Sequence, residues 1–319
     1  MDDGIRNVVV AGAGQMGPGI AFIVAQAGCQ VTLVDIDDEH VRQGRVKFEG
    51  VGNFLVQHGV ITPLEADSAR SRLTFTTDRS NLKNADLVIE CIPEHLPTKQ
   101  KFFASLEYDC PPATILASNT SGLRISDIAL LMQHPERAVT THFWMPAHLI
   151  PLVEVIQGEK TAPEIADRVA AFLRRCGKKP VIGRKDLPGQ ICNRLFQAVI
   201  REASYMVQEG VASTEDVETA VKAGMGIRFP VYGPLEHLDS VGLDLALAVQ
   251  ASVLPSLCNS SEPVQLLKDL VAAGNLGAKT GRGFYDWTTR SVDELRSNRD
   301  LFLVERLIAE KKAQKPEVK

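Results

Sequence analysis

No two cysteines in this sequence stand at the close spacing that a metal site or a redox pair uses: Cys29, Cys91, Cys110, Cys176, Cys192 and Cys258 occur singly, four of them inside apolar segments. They read as reduced, mostly buried thiols, which points to the cytoplasm and to no bound metal. Net charge is scarce as well. With a formal −4 over 319 residues and no long basic run, the chain lacks an electrostatic basis for binding nucleic acid or an anionic membrane. Charge is missing altogether from residues 7–34, which at first sight resembles a signal peptide or a membrane span. That stretch carries Gly12, Gly14, Gly17, Gly19, Gly28, Pro18, Gln15, Gln26 and Gln30, and Asp2 and Asp3 precede it where a signal peptide has basic residues. A buried β-α-β unit explains it better, and no membrane partner is expected.

What is present in quantity is apolar material, 45% of the residues, enough for two domains with a core each. The first domain opens with the strand-like run Val8-Val9-Val10-Ala11, followed at once by Gly12, Gly14 and Gly17, a helical stretch over 15–27, and a second run, Val31-Thr32-Leu33-Val34, that ends at Asp35. Such glycines permit a tight turn, a close approach of backbone to a pyrophosphate, and tight packing of the helix on the strand. The pyrophosphate would sit on the free amides of the helix N-terminus, beside Gln15 and Met16. An acid at the end of the second strand bonds a ribose 2′-hydroxyl and repels a 2′-phosphate, so Asp35 favours NAD over NADP. Asp37 and Asp38 read as a helix cap and first turn.

A helical stretch over 39–58 and a second helix begun by Thr62 (N-cap) and Pro63 form a paired-helix insertion. Strand-like runs then recur at 73–76, 87–90, 114–117, 138–142, 152–156 and 180–182, with helical patterns over 98–108 and 162–176. Strand alternating with helix argues a parallel sheet covered on both faces. Beyond Lys185-Asp186-Leu187-Pro188-Gly189 the strand signal ceases and helices are predicted over 191–209, 214–223, 243–257, 263–273 and 292–312. The predicted organisation is therefore α/β: a Rossmann-type doubly wound sheet with a helical-pair insertion over 1–186, then an all-α domain over 187–319 for substrate binding and dimerisation. Helix 191–209 is apolar on more than one face, which predicts burial, in the core or against a second subunit. The last seven residues, 313–319, read as a frayed tail.

Ser118-Asn119-Thr120-Ser121 follows one apolar strand and His142-Phe143-Trp144-Met145-Pro146 another, with Glu154 twelve residues beyond His142. Ligands of open α/β sheets bind outside the carboxyl ends of the strands, so Asn119, Ser121 and His142 would face the cofactor crevice. A histidine backed by a carboxylate suits a dehydrogenase, since the imidazole takes a hydroxyl proton as hydride leaves. Spacing alone is equally compatible with a structural histidine.

These residues belong to a longer series. Gly12–Gly17, Ala85-Asp86-Leu87-Val88-Ile89-Glu90, Ser118–Ser121, His142-Phe143, Pro151-Leu152-Val153-Glu154-Val155, Pro188-Gly189 with Asn193-Arg194, Gly233-Pro234-Leu235-Glu236 with Asp239, and Gly281-Arg282-Gly283-Phe284-Tyr285 resemble the L-3-hydroxyacyl-CoA dehydrogenase family, in that family's order. The resemblance implies NAD-dependent oxidation of a 3-hydroxy acid or 3-hydroxyacyl-CoA to the 3-oxo product. It implies His142 as base, Glu154 as its partner, Ser121 and Asn193 as hydrogen bonders to the reacting oxygen, and Glu94 and Lys99 near the nicotinamide ribose. In the family's usual His-x-x-Asn-Pro the amide is replaced here by Met145, which donates no hydrogen bond. The longer Gly226–Gly233 segment and the thirty or so residues after Tyr285 are more similar to the lambda-crystallin and L-gulonate dehydrogenase branch, whose substrates are free hydroxy acids. Arg228 in that segment is the candidate carboxylate clamp. The reading from a different class is a non-catalytic NAD-binding protein, such as a crystallin or a sensor.

Overall fold

The computed structural model describes residues 3–314. Eight strands form one sheet: β1 (Asn7–Ala11), β2 (Gln30–Val34), β3 (Leu73–Thr76), β4 (Leu87–Glu90), β5 (Ile115–Ser118), β6 (Ala138–Phe143), β7 (Leu152–Gln157) and β8 (Lys179–Gly183), in the order β3-β2-β1-β4-β5-β6-β7-β8. The strand order reverses between β1 and β4, so the carboxyl ends of these two parallel strands flank the crevice where such sheets bind ligands. Most pairs are parallel, as the alternation of strand and helix predicts. The exception is β6 with β7, which run antiparallel. Only residues 144–151 connect them, and a parallel return needs a crossover of a dozen residues or more.

Between these strands lie α1 (Gly17–Gln26), α2 (Asp38–Gln57), α3 (Pro63–Arg70), α4 (Leu96–Asp109), the single turn α5 (Ile125–Ile128) and α6 (Pro163–Arg175). Each boundary has a local cause. Asp37 accepts the His40 amide as N-cap of α2, with Asp38 and Glu39 in the first turn. At α3 the Thr62 side chain and Glu65 cap each other reciprocally, with Pro63 opening the helix. Helix α1 buries Gly17 through Ala25, and α2 turns Gly44, Phe48, Gly52 and Leu55 inward, one stripe at helical spacing. A Cβ at Gly44 would stand 2.6 Å from that of Ala13, so glycine there sets how closely α2 approaches the first turn of the chain.

The remaining helices are α7 (Ile191–Gln208), α8 (Thr214–Ala220), the short α9 (Gly226–Arg228), α10 (Pro234–Val241), α11 (Leu243–Val253), α12 (Gln265–Ala272) and α13 (Val292–Gln314). Periodicity does not predict α10, an eight-residue helix whose Pro234 opens it behind the Gly233 cap. The chain divides into two compact units, a sheet unit of residues 1–193 with 297–319, and a helical unit of residues 194–296. The sequence places all of 187–319 in one helical domain; in the compact division the larger part of α13 goes with the sheet. Val304 is buried in the sheet core with Leu303, Leu307 and Ile308 packed against it, and Lys311 Nζ donates to the Val60 carbonyl at 2.7 Å. Helix α13 continues through Gln314, so Ala313 and Gln314 are helical where a frayed tail is expected, and residues 315–319 lie outside the described residues.

Burial of α7 is not observed in the single chain. None of its residues is buried, and Leu195 and Phe196 are 57% and 51% exposed.

Candidate active site

The first loop of the sheet unit has the shape its glycines predict. Gly12 sits at φ +111°, and a Cβ there would lie 2.6 Å from the Cys91 carbonyl; one at Gly17 would overlap the Gly12 carbonyl at 1.9 Å. A Cβ at Gly14 would meet nothing within 4 Å, so the loop presents bare backbone on that side. No acidic residue occupies the first turn of α1, so its amides and dipole suit an anion. Asp35 Oδ2 accepts the Ala13 amide at 2.6 Å and Oδ1 accepts the Ile36 amide at 2.7 Å. The acid thus fixes the glycine loop as well as standing where a ribose hydroxyl would arrive. These features fit a dinucleotide.

At the ends of β4 and β5 lies a polar cluster that the sequence indicates only in part. Lys99, 1% exposed, reaches Glu90 Oε1 at 2.5 Å and Glu94 Oε2 at 3.3 Å. Glu90 also accepts the Ser118 hydroxyl and the Ile92 amide. Burial raises the Glu90 pKa even against the attraction of Lys99. Glu94 Oε1 accepts from the Thr120 hydroxyl and from the amides of Ser121 and Gly122, which sets the course of the loop after β5. Burial of Glu94 opposes its ionisation, but the Thr120 hydroxyl and Lys99 outweigh it and its pKa is lowered. The same loop is tied to β6, since Asn119 Oδ1 accepts the Phe143 amide at 2.8 Å. Glu90 was missed as a site residue, although an acid closing the otherwise apolar run 87–90 was the available signal.

His142 and Glu154 are directly opposite in the antiparallel register, so residues twelve apart share one face of the sheet. His142 Nδ1 lies 2.7 Å from Glu154 Oε2, with both side chains buried. Glu154 receives two further donors: the Trp144 indole on Oε2 at 3.0 Å and the Cys192 amide on Oε1 at 2.7 Å. Burial disfavours the Glu154 carboxylate, yet His142, the Cys192 amide and Trp144 together lower its pKa. An ionised Glu154 is acceptor-only, so Nδ1 carries the proton and Nε2 is left as the basic nitrogen. His148, only six residues on, has its pKa lowered to about 4 by burial and then by Lys178. That leaves it neutral and too weakly basic for the same task.

Asn193 Nδ2 donates to the Ser121 carbonyl at 3.2 Å, so these two candidates meet as well. Gln15 Nε2 reaches Met145 Sδ at 2.8 Å, joining the glycine loop to the turn after β6 through the residue that replaces the expected amide. Beside this contact is a cavity of about 440 Å³ lined by residues including Gln15, Met16, Lys47, Met145, His148 and Arg299. Arg228 lies exposed on α9 in the helical unit.

Residues 7–187 match the profile of the 3-hydroxyacyl-CoA dehydrogenase NAD binding domain, and residues 189–287 that of the 3-hydroxyacyl-CoA dehydrogenase C-terminal domain. A probable 3-hydroxybutyryl-CoA dehydrogenase of Bacillus subtilis is 39% identical over 288 residues, which are 90% of this chain and 99% of that one. Among solved structures, 5-formyl-3-hydroxy-2-methylpyridine 4-carboxylic acid 5-dehydrogenase, an NAD+-dependent dismutase, matches with TM-score 0.88 at 34% identity, covering 96% of this chain and 99% of that one. The (S)-3-hydroxybutyryl-CoA dehydrogenase of Ralstonia eutropha matches with TM-score 0.75 at 35% identity, covering 89% and 99%.

Proposed function

The chain belongs to the 3-hydroxyacyl-CoA dehydrogenase family and is an NAD-dependent oxidoreductase, and we propose that it oxidises the hydroxyl of a small free hydroxy acid, with His142 and Glu154 as its acid–base pair. The observation that carries the choice of a free acid is the extent of the match with the pyridine-carboxylate dehydrogenase. It covers 96% of the chain at TM-score 0.88, against 89% and 0.75 for a dehydrogenase of a CoA thioester. The helix pair leans the same way, because phosphate recognition of CoA would favour cations at its 54–58 end and none stands there; Arg42, Arg45 and Lys47 lie near its start, on its exposed face. The 39% identity to the Bacillus relative favours a second reading, a 3-hydroxyacyl-CoA substrate.

Bound NAD supplies the hydride acceptor. His142 Nε2 takes the proton of the substrate hydroxyl as the carbonyl forms, and Glu154 stabilises the imidazolium through Nδ1. Ser121 and Asn193 hold the reacting oxygen. The loop with Gly12, Gly14, Gln15, Met16 and Gly17 would cradle the pyrophosphate, Asp35 would bond the adenosine ribose, and Glu94 and Asn119 would line the nicotinamide end, with Lys99 buried behind Glu94 and holding it ionised. A guanidinium such as that of Arg228 clamps a carboxylate through two parallel hydrogen bonds, which makes it the candidate for the substrate's acid group. Among the described residues no single helix is long and apolar enough to cross a membrane, although α10 and α11 with the turn after it pass such a test together as a bent pair. We place the enzyme in the cytoplasm as a homodimer joined through the helical unit, whose exposed apolar side chains supply the surface.

The experiment is the kinetics of Arg228→Met. KM for a free hydroxy acid should rise by about 10–100-fold, the loss of a charge-assisted bidentate contact, while a neutral ester of the same acid is turned over as before. Unchanged kinetics on the acid would remove Arg228 from the site.

A further inference from the structure

We propose that Trp144 is a positioning residue that sets the pH range of the enzyme by sharing the carboxylate oxygen on which His142 depends. This rests on the reading of His142 and Glu154 as the acid–base pair. Trp144 is the first residue after β6, half-buried, with its ring centroid 5.8 Å from that of His142. Its indole Nε1–H donates to Glu154 Oε2 at 3.0 Å, and His142 Nδ1 uses the same oxygen at 2.7 Å. The other oxygen is taken by the Cys192 amide at 2.7 Å. A benzyl ring at position 144 would fill space but bring no donor; indole is a donor only.

Two consequences follow from a second donor on Oε2. With three donors on two oxygens the carboxylate has no free rotation, so the imidazole is held in one plane. The indole also withdraws charge from the oxygen that must stabilise the imidazolium. A hydrogen bond to the charged form of a carboxylate weakens its pull on a proton next door. The attraction that Glu154 offers the imidazolium is therefore weaker than it would be if His142 were the only donor to that oxygen. Among the described residues, the titratable groups facing Glu154 are His142, from the neighbouring strand, and the Cys192 thiol at the start of α7. Burial first, and then Glu154 itself, push that thiol up, so it stays neutral. On the other side, Val181 of β8 stands opposite Glu154 in register and carries no charge.

The test compares wild type with Trp144→Phe and with a protein carrying benzothienylalanine at position 144, which keeps the shape of indole and lacks its N–H. For oxidation the acid limb of kcat/KM against pH should move up by about 0.5–1 unit in both variants, and the alkaline limb of the reverse reduction should move the same way. At a pH below the limb this is a loss of about 3–10-fold. The imidazole titration of His142, followed by NMR without substrate, should shift in the same direction. A limb and a titration that stay in place, or move down, in the benzothienylalanine protein overturn the proposal, and a loss confined to Trp144→Phe would then mean packing alone. If Trp144→Phe fails to fold, the benzothienylalanine protein decides. His142→Gln runs beside them: full turnover in that variant would defeat the acid–base reading itself, whereas its inactivity with unmoved Trp144 profiles would defeat only the role of the indole.

Discussion

In the sheet unit β4 and β5 bury every residue and β1 all but its first, whereas α7 and α11 of the helical unit leave Leu195, Phe196, Leu245 and Leu247 more than half exposed. The two units also differ inside. Two continuous clusters fill the sheet unit on either side of its strands, while the helical unit contains an apolar cavity of about 570 Å³ lined by residues including Val207, Leu270, Phe284 and Tyr285. The central strands of the sheet are covered on both faces by their own chain, and the sheet unit fixes the base, its carboxylate and the glycine loop from its own residues. Exposed leucines and phenylalanines are each worth about 1.5–3 kcal/mol when covered. A handful of them from each of two copies offsets the roughly 4–15 kcal/mol that association costs. This is why we assign chemistry and cofactor to one unit and self-association to the other.

The sharpest way to break that division is at the base. His142→Gln should lower turnover by about 10²–10⁴, the worth of a positioned general base, with NAD affinity and fold retained; a variant that loses NAD binding to the same degree would show that the residue is structural. Next in size is Leu195→Asp, placed in the exposed apolar face of α7. Sedimentation should show the dimer dissociation constant raised by about 30–150-fold, the equivalent of 2–3 kcal/mol, with NAD affinity unchanged. A wild type that sediments as a monomer contradicts the assignment. Asp35→Ala should weaken NAD by about 10-fold and narrow the preference over NADP, since a 2′-hydroxyl partner, a repulsive charge and the anchor of the Ala13 amide are lost together. Better use of NADP than NAD by the wild type would overturn that role.

The smallest effect concerns stability within the sheet unit. Arg175 donates to both oxygens of Asp3, lowering the pKa of that carboxyl below its ordinary 3.8, while burial works the other way. A lowered carboxylate pKa stabilises the fold above the ordinary value, and the contribution is lost as pH falls through the folded value. Asp3→Asn should therefore cost about 1–2 kcal/mol in chemical denaturation at pH 7, and the gap should close below pH 3.8. A gap that persists at pH 2 would mean that packing, not charge, is responsible.

Much of this was legible in the residues. The three glycines and Asp35 announce the loop because few other residues permit its turns, and Asp37, Thr62 and Pro63 mark helix starts through groups that satisfy backbone amides. His142 and Glu154 are legible as candidates but not as a pair, because their contact depends on β7 turning back within eight residues, a matter of connection length rather than composition. Trp144 and Glu90 were harder still. An indole reads as core until its N–H is seen to face a carboxylate, and a buried acid paired with a lysine nine residues on is recognisable only once β4 and α4 are set side by side. Helical periodicity finds α13 and its apolar stripe, yet cannot say which unit the stripe covers. The exposure of α7 has the same origin: an apolar face predicts burial without naming the surface that buries it.

Wild-type specificity tests a free hydroxy acid as the substrate most directly. Purified enzyme with NAD is offered a panel of free hydroxy acids and (S)-3-hydroxybutyryl-CoA, with NADH formation recorded for each. We expect at least one free acid to exceed the thioester by about 10-fold or more in kcat/KM, a difference of roughly 1.4 kcal/mol in transition-state binding. A thioester preferred over every acid in the panel would contradict the account and place the enzyme among dehydrogenases of acyl-CoA.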